Sequence, residues 1–139
     1  AVNPGSAAKV VPALQCLLQE QGVYDGPVSG TYDPATVAAA GAWMTAHGFP
    51  AQAKFAPRHW VSLLSVGAKP VLKTGSAGPD VRRLQRALTA ADGTARVTAT
   101  GVFDAVTGVA LSAWQEKGGL PVTGVAAPST WRKLWQGYR

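Results

Sequence analysis

The sequence predicts an all-α protein made of two tandem three-helix repeats, with structured Gly-rich loops and a short linker. Three observations carry this. Apolar residues recur at three- and four-residue spacing in short stretches, the period of a helix with one buried face. Proline and glycine punctuate the ends of those stretches. The chain also echoes itself: Gly30-Thr31-Tyr32-Asp33, Thr36 and Trp43 return 71 positions later as Gly101-Val102-Phe103-Asp104, Thr107 and Trp114. Self-similarity at a long fixed period marks a repeat architecture, so residues 5–67 and 68–139 are read as two copies of one unit.

The elements follow in order. After the turn-forming run Asn3-Pro4-Gly5-Ser6, the stripe Val11, Leu14 and Leu18 predicts a helix over 9–21, stopped by Gly22. Three glycines and Pro27 make residues 22–32 a tight loop. Asp33 is an N-cap residue with Pro34 at the first helical position, where its missing N–H costs nothing. That helix is expected over 34–47, with Ala39, Ala40 and Trp43 inward and Gly48 as its stop. Ala56-Pro57 opens a third helix with Trp60, Leu63 and Leu64 on one face. Ser65–Gly75 is the linker, with Val71-Leu72 extended. Pro79 then opens a helix whose Val81, Leu84 and Leu88 restate Val11, Leu14 and Leu18 at an offset of 70. Asp104 caps the next, 105–117, which carries Leu111 and Trp114 and ends at Gly118-Gly119. Pro128 starts the last, 128–136, with Trp131, Leu134 and Trp135. Units of roughly 60 residues bury little surface, so packing one repeat on the other is expected to help.

Composition narrows the function. The chain has 139 residues, of which 14% are charged, and no apolar run approaches 18 residues, so no membrane span is expected. The start Ala1-Val2-Asn3-Pro4 suits a mature secreted chain whose signal peptide is gone, and equally an expression product. The single Cys16 excludes an internal disulfide and a Cys-rich zinc site, and burial is its expected place. The net charge of +6 falls wholly in residues 69–139, since the charges of residues 1–68 cancel. A basic half points to an anionic partner, with solubility alone as the plain alternative.

An enzyme would need groups that are hard to find. His47 and His59 stand twelve apart without a zinc-binding helix motif, and both read as surface or capping residues. Asp33 and Asp104 are repeat-equivalent helix caps, so one structural role explains both carboxylates. Cys16 has no base near it in sequence, and no glycine loop of the phosphate-cradling kind is present. No catalytic residue, metal or cofactor is therefore expected.

The run Leu72-Lys73-Thr74-Gly75-Ser76-Ala77-Gly78-Pro79-Asp80-Val81-Arg82-Arg83-Leu84-Gln85-Arg86-Ala87-Leu88 resembles the opening of the three-helix peptidoglycan-binding domain of bacterial wall hydrolases. Gly101-Val102-Phe103-Asp104, Thr107 and Trp114-Gln115 are similar to its middle section, and Leu120, Val122-Thr123-Gly124, Pro128, Thr130-Trp131 and Leu134 to its close. The first repeat resembles it less: Met44 stands for the Gln after the aromatic, and Arg58-His59-Trp60 for Ser-Thr-Trp. What the resemblance implies is a secreted or wall-associated protein that binds peptidoglycan, glycan or stem peptide, without catalysis. Asp104, Thr107 and Gln115 would frame a polar edge of the site. Trp135, Tyr138 and Tyr24 are candidate exposed rings, and Trp131 reads first as core and second as a ligand face. Arg82 and Arg86, four apart on one helix, would meet an anionic wall polymer. That stripe is too short, and too poor in base-reading side chains, for nucleic acid. The alternative is a module that binds another secreted protein.

Overall fold

A computed structural model describes residues 1–92 and 97–137. Among these residues there are six α-helices and no strand: α1 Val11–Glu20, α2 Pro34–Ala46, α3 Pro57–Leu64, α4 Pro79–Asp92, α5 Ala105–Lys117 and α6 Pro128–Trp135. The all-α expectation holds, and the chain divides into two compact units, Ala1–Ala56 and Pro57–Arg139.

Unit 1 contains α1 and α2, which pack on each other. The stripe Val11, Leu14 and Leu18 is buried, as are Ala39, Ala40, Trp43 and Met44 of α2. Val2 closes the unit by an antiparallel bridge to Phe55, each backbone N–H donating to the other's carbonyl at 2.8 and 2.9 Å. The Trp43 ring lies 4.4 Å from that of His47 and 5.9 Å from that of Phe55. Cys16, expected inside, is exposed, because it falls off the α1 stripe that the core covers.

Unit 2 holds α3 to α6. Its core gathers Val61, Val81, Leu84, Leu88, Phe103, Leu111, Trp114, Trp131 and Leu134. Leu72 bridges Ala126, so the expected extended piece at Val71-Leu72 exists as a single ladder rung. The division between the compact units falls before α3, which packs on α4 and α6. The buried face of α3 also differs from the one expected. His59, Val61, Ser62 and Leu63 are buried, while Trp60 and Leu64 are only half-buried. His59, expected at the surface, is enclosed, and burial, with Arg58 second, pulls its pKa down to about 4.

One local device appears in both units. In unit 1 the buried Gln15 donates from Nε2 to Ser29 Oγ, Thr31 O and Thr36 Oγ1, and its Oε1 accepts from Gly30 N. In unit 2 the buried Gln85 donates to Thr100 Oγ1, Val102 O and Thr107 Oγ1, and accepts from Gly101 N. Each amide ties the first helix of its set to the loop and to the capped helix after it. Buried polar groups must find partners, and a primary amide has enough of both kinds to satisfy a tight turn whose backbone has left the helical ladder. Gly30 and Gly101 adopt φ of 80° and 81°, a region in which a side chain is strained.

Candidate ligand-binding cleft

The second unit is cut by an open cleft of about 680 Å³ along α5. One wall is the segment Lys73-Thr74, just past the Leu72–Ala126 bridge. The other is the loop Thr123-Gly124-Val125. Between them lies a face of α5 made of Ala105, Gly108, Val109, Ser112, Ala113 and Glu116. These six recur at three- and four-residue spacing, so they form one helical stripe. It is a stripe of mostly small side chains opposite the buried Thr107 and Trp114, and small side chains leave room.

Gln115 builds the far wall. It is buried, and its Nε2 donates to Thr123 Oγ1 and Val125 O, while its Oε1 accepts from the backbone N–H groups of Thr123 and Gly124 at 3.1 and 3.0 Å. Gly124 adopts φ +68°, and a Cβ there would sit 3.4 Å from Ser112 Oγ, so the loop backbone comes close to the helix at this point. Asp104 sets the near end of α5. Its Oδ1 accepts from Thr107 N at 3.0 Å and from Thr107 Oγ1 at 2.9 Å. These bonds, the backbone one first, hold the Asp104 carboxyl below its ordinary pKa. Asp33 does the same for Thr36 in unit 1.

The residues singled out from sequence do not line this cleft. Thr107 and Gln115 are buried with their polar atoms bonded within the protein, and exposed Asp104 uses Oδ1 to cap α5. Trp131 is fully buried and donates its indole N–H to Pro70 O at 2.7 Å, with the Arg83 guanidinium 4.2 Å from the ring. Trp135, expected to be exposed, is half-buried. Its N–H goes to Ser65 O at 2.7 Å and Lys69 Nζ covers its ring at 4.2 Å. Both rings staple α6 to the 65–70 segment. Tyr24, also expected to be exposed, is buried, because its hydroxyl turns in to donate to Pro27 O at 2.7 Å. Tyr138 lies outside the described residues. Arg82 and Arg86 are exposed on α4, as expected, but neither lines the cleft.

The α5 stripe was not among the residues singled out from the sequence. Its signal was present: a glycine in a helix interior costs about 1 kcal/mol against alanine, so Gly108 marks a place where space is needed.

Residues 77–134 match the family model described as "Putative peptidoglycan binding domain". The match takes in α4, α5, the Gln85 hub, the α5 face of the cleft and its Thr123–Val125 wall. It supports a peptidoglycan-binding domain in the second unit and a cell-wall polymer as the partner. No curated protein and no solved structure matches the chain. Among the described residues no helix is long and apolar enough to cross a membrane, and no group of three or more His, Cys, Asp or Glu stands ready to hold a metal ion.

Unit 1 has a groove at the corresponding place, about 670 Å³, lined by residues that include Pro4, Tyr32, Pro34, Val37, Ala38 and Ala53. Pro4 precedes Thr74 by 70 positions. Pro34, Val37, Ala38 and Ala53 precede Ala105, Gly108, Val109 and Gly124 by 71. The two grooves differ in chemistry: unit 2 offers Lys73, Ser112, Glu116 and Thr123, where unit 1 is mostly aliphatic, with Thr31 and the capping carboxylate Asp33 at its edge and no basic residue in its lining.

Proposed function

We propose that unit 2 holds bacterial peptidoglycan in the α5 cleft, and that the chain is a secreted, wall-associated, non-catalytic binding protein. The observation that carries this reading is the coincidence of the family match with an open cleft whose walls are held by the buried Gln115 amide and by the Leu72–Ala126 bridge. A preformed concave site with a few placed polar groups is what a ligand site requires. The positive second half, including Arg82 and Arg86, would raise the local concentration of an anionic wall polymer, so binding should weaken with salt.

The chain is read as two tandem copies of one repeat, the first divergent. Support comes from the paired hubs Gln15 and Gln85, the paired caps Asp33 and Asp104, and the paired bridges Val2–Phe55 and Leu72–Ala126. In this reading α3 is the third helix of the first copy, Pro57 standing 71 positions before Pro128, although it packs within the second compact unit. The wall contact is assigned to the second copy, which the family match covers and whose cleft carries both a basic and an acidic side chain, Lys73 and Glu116.

Cosedimentation with insoluble purified wall tests the assignment. Val109 is 71% exposed in the cleft, so Val109→Glu should leave the fold intact and reduce retention at least tenfold. The same change at the equivalent position of unit 1, Ala38→Glu, should leave retention unchanged. If Val109→Glu sediments like the wild type, the cleft is not the site.

A further inference from the structure

We infer that the unit 2 cleft takes the peptide stem of the wall polymer rather than its sugar strand. The ligand class is a short extended peptide bearing a free carboxylate and a free ammonium group. This rests on the wall-binding reading above and names the part of the polymer that is recognised.

The first ground is the state of the aromatic rings. Sugar strands are held by aromatic faces laid against their C–H surfaces, and the cleft lining contains no aromatic residue. Among the described residues the other rings of this unit are largely taken up by the fold. Phe103, Trp114 and Trp131 are buried, and Trp135 is half-buried with its N–H and its face both engaged. The large apolar side chains that stand exposed among the described residues are all valines. A valine offers aliphatic contact, which suits methyl-bearing side chains and gives a pyranose no platform.

The second ground is charge. Lys73 stands on one wall and Glu116 at the C-terminal end of the α5 stripe. Both are exposed, and no ion pair or side-chain hydrogen bond engages either among the described residues. Opposite charges on one cleft complement a ligand that carries both signs. An N-acetylated sugar strand has no ammonium to offer Glu116. A peptide stem containing a diamino acid carries free carboxylates and a free amine.

The third ground is length. Ala105 to Glu116 is twelve residues of helix, eleven steps and so about 16 Å at 1.5 Å per residue. An extended peptide advances about 3.4 Å per residue, so the stripe accommodates about four or five residues. Ala105, Gly108 and Ala113 along that path leave space for small side chains, and Ser112 adds a hydroxyl near the middle.

Calorimetric titration with two soluble probes decides the matter: peptide stems released from the wall by an amidase, and glycan strands freed of peptide. The stems should bind and the strands should not. Lys73→Glu and Glu116→Lys should each weaken stem binding tenfold or more, with the unfolding midpoint unchanged. If either reversal unfolds the protein, Lys73→Gln and Glu116→Gln take its place with the same expectation. The inference is overturned if strands bind and stems do not, or if the charge changes leave stem affinity as it was. In the first case retention on whole wall would persist and only the assignment to the stem would fall. Loss of binding to whole wall by the unaltered protein would overturn both readings.

Discussion

Gln85→Ala tests the claim that one buried amide organises the second unit. Gln85 has four partners: the two Nε2 hydrogens are shared among Val102 O and Thr107 Oγ1 at 3.0 Å and Thr100 Oγ1 at 3.3 Å, and Oε1 accepts from Gly101 N at 3.0 Å. The four are not equal. Val102 and Thr100 are exposed, so water replaces the amide at little cost. Thr107 keeps its bond to Asp104. Gly101 is buried, and its N–H is left without a partner. Such an orphan costs about 1–3 kcal/mol, and each bond lost outright about 1 kcal/mol. The emptied volume adds to this, giving about 3–4 kcal/mol for the substitution. A unit of this size has a total stability of about 4–12 kcal/mol, so the loss is a large fraction of it. The melting temperature should fall by about 12–25 °C. Urea unfolding followed by tryptophan fluorescence gives the free-energy difference. The equivalent Gln15→Ala should cost about 1 kcal/mol less, because Gly30 is only half-buried and water can reach its N–H. A loss below about 1 kcal/mol for Gln85→Ala would refute the reasoning, since it would mean that the loop satisfies itself without the amide.

Other consequences follow from the same geometry. The Asp104 carboxyl titrates below its ordinary 3.8, so on acidification the unfolded chain takes up the proton first. The stability Asp104 supplies is complete above about pH 4 and disappears as the pH falls through the folded value; Asp104→Asn keeps a capping acceptor but cannot titrate, and unfolding midpoints between pH 2 and 5 should vary less in that variant. His59 has a folded pKa of about 4 against 6.5, so its contribution is complete above pH 6.5 and is lost as the pH falls toward 4. An NMR titration that found the His59 ring protonated at pH 6 would contradict its burial. Gly137 adopts φ +71°, and a Cβ there would lie 2.5 Å from the backbone oxygen of Arg58. Gly137→Ala should therefore cost about 2 kcal/mol or more in urea unfolding, and a cost under half a kcal/mol would remove the argument.

Much of the fold was legible because its signals are local. Asp33-Pro34 and Asp104 start their helices where capping chemistry says they should, and α5 spans the predicted 105–117. The burial of α3 was not legible. In eight residues the apolar period fits more than one face, and its partners α4 and α6 decide which face is buried. Tyr24 and Trp135 failed for a related reason. A ring in a loop or near a chain end looks available until its polar atom is seen to have found a backbone carbonyl. For the site, attention to polar residues led to Asp104, Thr107 and Gln115, which support the cleft without lining it. A glutamine that holds a ligand and a glutamine that holds a loop are the same letter. The lining itself is mostly Ala, Gly, Ser and Val, residue types that carry no chemical signal of their own.

The division of labour between these residues explains why one scaffold can carry two different grooves. In unit 2 the loops are fixed from inside by Gln85 and Gln115, and α5 is started by Asp104. None of these tasks falls on the outer stripe of α5. Positions 108, 109, 112 and 116 can then change without loss of the fold, and their counterparts in unit 1 are Val37, Ala38, Gly41 and Thr45. Lys73 answers to Asn3 and Thr123 to Gln52. In the two-copy reading proposed above, what recurs is separate from what differs. The hub glutamines Gln15 and Gln85, the caps and the positive-φ glycines before them recur, and they are spent on the fold. The charges at 73 and 116 do not recur. If the cleft binds the peptide stem as inferred above, specificity should follow those two exposed side chains rather than the polar residues that the two halves share.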